Sequence, residues 1–473
     1  MSETVWESEK PNMIKLSFLI ILGLLSTGCA SSLWSPYPQQ IQPQLQQLDQ
    51  GQTPQLLYTQ SSAGNADLLL NLLEKARFAQ IRGETALSML TFERALAEFD
   101  DNDIGAIFRL SDIGSQGVAL VTNDNVMPYR GAIFERVFAH HFQALNYLFW
   151  KDLEGAGVEV RRGNLAQQQA NTRYAKELEK LEAKRQQVPV DFERANHYFK
   201  AMDREAAQVR TSFQNAYSYY VSALIYELRD ELDDAYIDYR NALKLAPDNS
   251  VIQADVLRLA KQLGDQETAK TLQQDASLSD NVSDAGGSEL IIFYENGFAP
   301  PKQEVSFPIP YRYGLVAISF PIYQGYSIPG SLIVSRDQHR LGRTQMLTKV
   351  ASMVAKALQE QRVGLIIRQL GRAVAKAELQ RFSYDQGGNA VGLLVNLYNL
   401  FSEHADLRSW LSLPNNVQLL RIHVPAGIHQ LQFQDSASGL RQNLSIDAPA
   451  RSRNILRVIN TGSRFYLQMA QFY

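Results

Sequence analysis

A chain of 473 residues is too long for one ordinary core, so two or three domains are expected. Its 45% hydrophobic and 20% charged residues are those of a globular protein with a sizeable interior. A formal net charge of −3 offers no basic field for nucleic acid, and a single cysteine excludes internal disulfides and cysteine-rich zinc sites.

The chain begins with a segment that reads as a leader, residues 1–28. Met13-Ile14-Lys15 is a short basic start, Leu16 to Leu25 is almost continuously apolar, and Ser26-Thr27-Gly28-Cys29 ends on the cysteine. An apolar run of about ten residues is the length of a signal h-region and too short to span a hydrocarbon core of roughly 30 Å. Glu3, Glu7 and Glu9 put acid where a leader is basic, so Met13 is the expected true start. The segment resembles the lipobox of bacterial lipoproteins, with Ser26 where that pattern prefers Leu. The resemblance implies cleavage between Gly28 and Cys29, a diacylglycerol on the Cys29 sulfur and usually a further acyl chain such as palmitate on the new N-terminus. Two or three chains hold firmly, because each buried methylene contributes about 0.8 kcal/mol. Ala30 and Ser31 follow with no Asp, which by the same resemblance implies sorting to the outer membrane, facing the periplasm.

Residues 29–66 are rich in Gln, Pro and Ser and read as the lipidated cysteine followed by a flexible tether, reaching roughly 35 Å as a random coil. Residues 67–276 read as an all-helical repeat domain. The clearest copy, 216–249, carries Ala223, Tyr226, Ala235, Tyr239, Ala242 and Pro247. Small residues there let paired helices approach, tyrosines fill the space between them, and Pro247 stops the second helix. The next copy has Leu257, Ala260, Gly264, Ala269 and Ala276; earlier ones fall at about 69–102 and 137–170, and 103–132 is expected to cross irregularly between helices. Gln167 to Gln187 reads as one arm of a helical hairpin turning near Pro189. A Ser/Gly/Asp-rich linker, 277–288, precedes a β-rich domain, 289–473. Strands are expected at Leu290–Tyr294, Leu315–Phe320, Leu332–Val334, 417–424, 428–434, 442–446, 453–459 and 464–470. A helical insertion of about 345–404 interrupts them. The fold class is thus multidomain α+β: an N-terminal helical solenoid, then a β-sandwich-like domain with a helical insertion.

Motifs of chemistry are sparse. The seven histidines lack His-Glu-x-x-His spacing, His140 and His141 point about 100° apart on a helix, and His423 and His429 flank a turn from which they could face each other. There is no Gly-x-Ser-x-Gly elbow, phosphate loop or dinucleotide fingerprint. The expectation is a non-enzyme with no cofactor and no metal. Arg368, Arg372 and Lys376 form a basic stripe, read as a solvated face or a contact for anionic lipid or a partner's acidic surface, and Val391 to Phe401 reads as a buried helix. Asp406, Arg408 and Trp410 are expected to form a buried corner tying the helical insertion to the strands.

The repeat spacing resembles the tetratricopeptide repeat, whose first helices line a concave groove for peptides or partner domains. Carried onto this chain, that groove would present Tyr217, Tyr220, Glu227, Arg258 and Lys261, with structural packing of the two tyrosines as an equal alternative. Tyr147 to Arg162, Glu295 to Pro300 and Ala405 to Pro414 also resemble a family of Gram-negative lipoproteins with such repeats, a resemblance that brings no established activity. The expected function is a membrane-anchored periplasmic scaffold that binds envelope proteins through the repeat groove, with no nucleic-acid partner. One alternative is binding or processing of peptidoglycan or polysaccharide by the C-terminal domain; another is a part in surface-polymer assembly or export.

Overall fold

The computed structural model describes residues 35–57, 66–111, 127–185, 192–273, 287–311, 314–326, 328–366, 369 and 404–473. The leader, Cys29, most of the 277–288 linker, the basic stripe and Val391–Phe401 lie outside them. The protein is mixed α+β, with helices in the N-terminal part and sheets in the C-terminal part.

The helices are α1 (Tyr37–Asp49), α2 (Leu68–Ile81), α3 (Thr85–Ser111), α4 (Ile133–Phe149), α5 (Leu153–Arg185), α6 (Phe192–Ala206), α7 (Ala216–Leu228), α8 (Leu232–Leu245), α9 (Ser250–Leu263) and α10 (Gln266–Gln273). Three-residue connections join α2 to α3, α4 to α5 and α7 to α8, and a two-residue one joins α9 to α10. Each such pair packs as a hairpin, and successive hairpins touch. Turn chemistry explains the stops and starts. Gly264 ends α9 at φ +82°, in left-handed backbone that a side chain would strain, and Asn249 caps its start by accepting from Val251 and Ile252 N–H. Ala76, Ala79, Ala95, Ala139, Ala144, Ala223, Ala235, Ala242 and Ala260 are buried in this layer, the small contacts that close helix packing needs.

Two readings of this half are corrected. Residues 37–49 are a helix with Tyr37, Ile41 and Leu48 buried, not a tether; apolar side chains at four- and seven-residue spacing outweighed the Gln/Pro-rich composition. Pro36 and Pro38 flank the helix start, where a missing N–H costs nothing. Helix α3 also runs on through 103–111.

The strands are β1 (Ser288–Phe298), β2 (Lys302–Tyr311), β3 (Gly314–Tyr323), β4 (Leu332–Arg336), β5 (His339–Arg343), β6 (Gln345–Thr348), β7 (Pro414–Val424), β8 (Gly427–Asp435), β9 (Arg441–Ala448), β10 (Arg453–Asn460) and β11 (Phe465–Phe472). A five-stranded sheet has the order β11-β10-β1-β7-β6, with β1 parallel to β10 and antiparallel to β7. A four-stranded sheet has the order β5-β4-β8-β9, and β2 and β3 form a separate hairpin. The insertion starts later than expected: 345–348 is the edge strand β6, and the helix α11 occupies 350–366.

Strand β1 explains the layering. Side chains alternate sides along a strand, yet Leu290 to Tyr294 are all fully buried. Leu290, Ile292 and Tyr294 pack with Leu332, Val334, Leu431 and Phe433 of the four-stranded sheet. Ile291 and Phe293 pack with the helices instead. The five-stranded sheet is therefore a middle layer, helices on one face and the smaller sheet on the other, which is why its central strand reads as a continuous apolar run. Because β7 and β8 belong to different sheets, His423 and His429 do not face each other. His423 lies 3.8 Å from Glu289, whereas His429 contacts Arg336 and the Pro425 carbonyl.

Candidate functional site

The helix-facing side of the middle sheet carries charges among its apolar residues, and these meet complementary groups on the helices. On β1 and β10 the same alternation that turns Ile291, Phe293, Ile455 and Ile459 toward the helices also turns Glu295 and Arg457 there. Arg457 Nε donates to Glu295 Oε1 at 2.6 Å, Arg77 of α2 pairs with Oε2, and the Tyr217 hydroxyl of α7 donates to Oε1 at 2.8 Å. Gln80 accepts from both arginines and donates to the Phe142 carbonyl. Arg77, Glu295 and Arg457 are at most 1% exposed. Burial alone would raise the Glu295 carboxyl; Arg457 and Arg77 overcome that and take it down to about 2. The His141 ring lies 4.1 Å from that of Tyr217, and burial, reinforced by Arg457, lowers its imidazole to about 3.

A second cluster joins α7, α8 and α9 to the sheet around Arg421 of β7. Its guanidinium reaches Asp255 at 2.8 Å and Glu289 at 2.6 Å. Tyr220 donates to Asp255 and Tyr239 to Glu227, while Arg258 and Arg453 each reach Glu227 at 3.0 Å. Burial raises the Glu227 carboxyl, and Arg421, Arg258 and Arg453 outweigh it, leaving it at about 2.

A third cluster clamps the chain entering β7. Glu74 of α2 accepts from the Leu411 and Ser412 amides at 2.6 and 3.1 Å, and Glu135 of α4 accepts from the Trp410 amide at 2.9 Å. Arg408 pairs with Asp406 and Asp67 and donates to the Met127 carbonyl. Trp410 packs on Phe92 and Phe142. The corner expected from Asp406, Arg408 and Trp410 thus exists, but it ties β7 to α2 and α4. Burial raises Glu74 to about 7, and its hydrogen bonds from Ser412 and Leu411 offset that only in part.

These shifts set opposite pH signs. Glu295 and Glu227, depressed from 4.5 to about 2, contribute stability that is present above pH 4.5 and lost as pH falls toward 2. Glu74, raised from 4.5 to about 7, contributes stability that is full below pH 4.5 and lost as pH rises through 7. Between pH 5 and 8 the unfolding free energy is therefore expected to decline, by on the order of 3 kcal/mol at most from Glu74. Urea titrations of the wild type and Glu74→Gln check this: the variant should show a flatter profile across that window, and equal slopes would refute the assignment.

The five groove residues proposed from sequence do not line an open groove. Tyr217 and Tyr220 are fully buried, Glu227 is nearly so, and all three are bonded to the sheet or to charges facing it. Arg258 is half-buried against Glu227 and Asp255, and Lys261 is exposed on the last turn of α9. The inner face of the hairpins is filled by the chain's own sheet. Sequence reasoning missed Arg77, Glu295, Arg421 and Arg457. The available signal was a charged residue bracketing or interrupting an apolar run long enough for burial on both faces, as in Glu289 to Glu295 and Arg453 to Ile459.

Two clefts are lined by other residues than these clusters. One of about 440 Å³ between α3, α4 and α5 holds His140, whose Nδ1 is 2.8 Å from Glu159, itself paired with Arg162. Another of about 720 Å³ runs between the α6–α7 connection, the end of α8 and β6, and includes Gln208, Asn249 and Lys349. Among the described residues no group of three or more His, Cys, Asp or Glu is placed to hold a metal, and no helix is long and apolar enough to cross a membrane. No family model matches the chain, nor does any curated protein or solved structure.

Proposed function

We propose that this chain is a scaffold lipoprotein, anchored through Cys29 to the outer membrane and binding envelope proteins on the periplasmic side. The observation that carries the reading is how the chain uses its functional groups. Glu295 and Glu227, both held far below the usual carboxylate range, are spent on joining the helices to the sheet, and neither lines either of the two clefts described above. A tetratricopeptide-like array of hairpins backed by a β-sandwich-like module is, on this view, a single rigid platform. Partners then meet its outer helices rather than the inner face. Leu90 of α3, Leu165 of α5 and Ile237 of α8 are more than half exposed, one on the second helix of each of three hairpins.

A photo-crosslinking residue at Leu90, Leu165 or Ile237 in cells should capture a recurring set of envelope proteins. The same residue at Ile428, exposed on the smaller sheet, serves as the comparison. Equal capture at all four positions would count against the outer helices. Cys29→Ser should convert the protein to a soluble or unprocessed form and abolish that capture; a mature form still fractionating with membranes would place the anchor elsewhere.

A further inference from the structure

Helix α1 is stitched to the opposite end of the chain. Asp49 Oδ1 accepts from the Thr461 hydroxyl at 2.9 Å and from the Ser463 amide at 2.8 Å. The Asp49 carbonyl accepts from the Ser463 hydroxyl at 3.1 Å, and Arg464 donates to the Gln50 carbonyl. Tyr466 donates to the Leu48 carbonyl, and Gln44 and Gln47 fold the following segment back by accepting from the Leu56 and Gln55 amides. Tyr37, Ile41 and Leu48 join the same core as α2 and α4. Four of these bonds reach a turn more than 400 residues away in sequence, so α1 is an integral part of the folded body.

We propose that α1 is a strap that turns the lipid tether into a short leash and holds one end of the molecule against the phospholipid surface. The inference rests on the reading of Cys29 as the acylated residue. Only seven residue steps separate Cys29 from Pro36, where α1 begins. Covalent geometry limits them to about 25 Å even when fully extended. A free segment from Cys29 to Ala66 would reach well over 100 Å by the same limit. The end that the leash holds is the one where Tyr37 is buried, with the charges of Glu74, Asp67, Glu135 and Arg408 acting on its hydroxyl. The hairpins stack away from it through α4 and α7 to α9 and α10. Partners are then met at fixed height and orientation above the lipid.

The test uses the full acylated chain in phosphatidylethanolamine–phosphatidylglycerol vesicles carrying an acceptor dye on the headgroups. With Cys29 occupied by lipid, one introduced cysteine takes a donor dye uniquely, either Arg130→Cys, next to Tyr129 whose hydroxyl bonds the Glu135 that acts on Tyr37, or Glu267→Cys on α10, both exposed positions. Energy transfer should be several-fold stronger from position 130 than from 267. Asp49→Ala with Leu48→Asp should release α1 and remove most of that difference, and the milder Asp49→Ala alone should reduce it. Equal transfer from both positions in the otherwise native chain, or a difference untouched by both strap variants, overturns the proposal. Two readouts separate its parts. Absence of acyl mass on Cys29 overturns the lipid reading and the leash with it. Proteolysis of the soluble Cys29→Ser form tests the strap alone: residues 37–57 should resist cleavage until Asp49 is replaced, and ready cleavage without that replacement overturns the strap.

Discussion

Replacing Glu295 by Gln should lower the unfolding free energy by about 3–5 kcal/mol, the usual cost of leaving a buried charge uncompensated. The substitution keeps the shape of the side chain but strands two guanidinium groups, Arg77 and Arg457, in a place essentially without water. An exposed pair such as Arg336 with Asp337 provides the scale: its removal should change stability by no more than about 1 kcal/mol. Replacing Arg77, Glu295 and Arg457 together by Met, Leu and Met should cost less than Glu295→Gln alone, because the penalty lies in the unpaired charge rather than in the loss of attraction. Guanidinium titrations monitored by circular dichroism measure all three. A loss from Glu295→Gln as small as that of the surface pair would refute the network's role.

The second large effect concerns the two halves. Cut at the linker, residues 289–473 would expose Ile291, Phe293, Val417, Leu419, Ile455 and Ile459 to water together with Glu295, Arg421 and Arg457. Burying a large apolar side chain contributes about 1.5–3 kcal/mol, so six of them are worth roughly 9–18 kcal/mol, as much as the 5–15 kcal/mol by which a whole domain is stable. The isolated fragment is expected to aggregate or to lack a cooperative unfolding transition, and co-expression with residues 35–276 should restore solubility. A monomeric fragment with a sharp transition and dispersed amide resonances would show the interface to be dispensable. In the full chain, helix and strand signals should disappear at one denaturant concentration.

The residues explain which parts of this architecture could be read in advance. Alanine spacing and the stop at Pro247 located the α7–α8 hairpin, because helix packing is a local pattern. Strands at 417–424, 453–459 and 464–470 were legible from β-branched and apolar runs; in the structure they span Pro414–Val424, Arg453–Asn460 and Phe465–Phe472. Strands β2, β5 and β6 were not. His339-Arg340-Leu341-Gly342-Arg343 has no apolar alternation and is held as a strand by pairing with β4. Gln345–Thr348 reads equally well as the start of a helix until β7 is beside it. The groove failed for a deeper reason. A tyrosine that recognises a foreign peptide and one that hydrogen-bonds a carboxylate of its own chain leave the same trace in sequence. Tyr217 is distinguished only by Glu295, 78 positions later.

The parallel alignment of β1 with β10 has a consequence for the order in which the molecule can be completed. Strand β1 leaves the ribosome 164 positions ahead of its partners on β10, and α1 precedes its docking turn by more than 400. Closing such long loops comes late and slowly in folding. Until the last twenty-one residues arrive, the helices have an unfinished floor and α1 has nothing to hold. A nascent chain in that state presents bare apolar strand edges, a surface open to aggregation. It also means that the final strands act as a seal on synthesis: only a chain translated through β11 can close the sheet and dock α1.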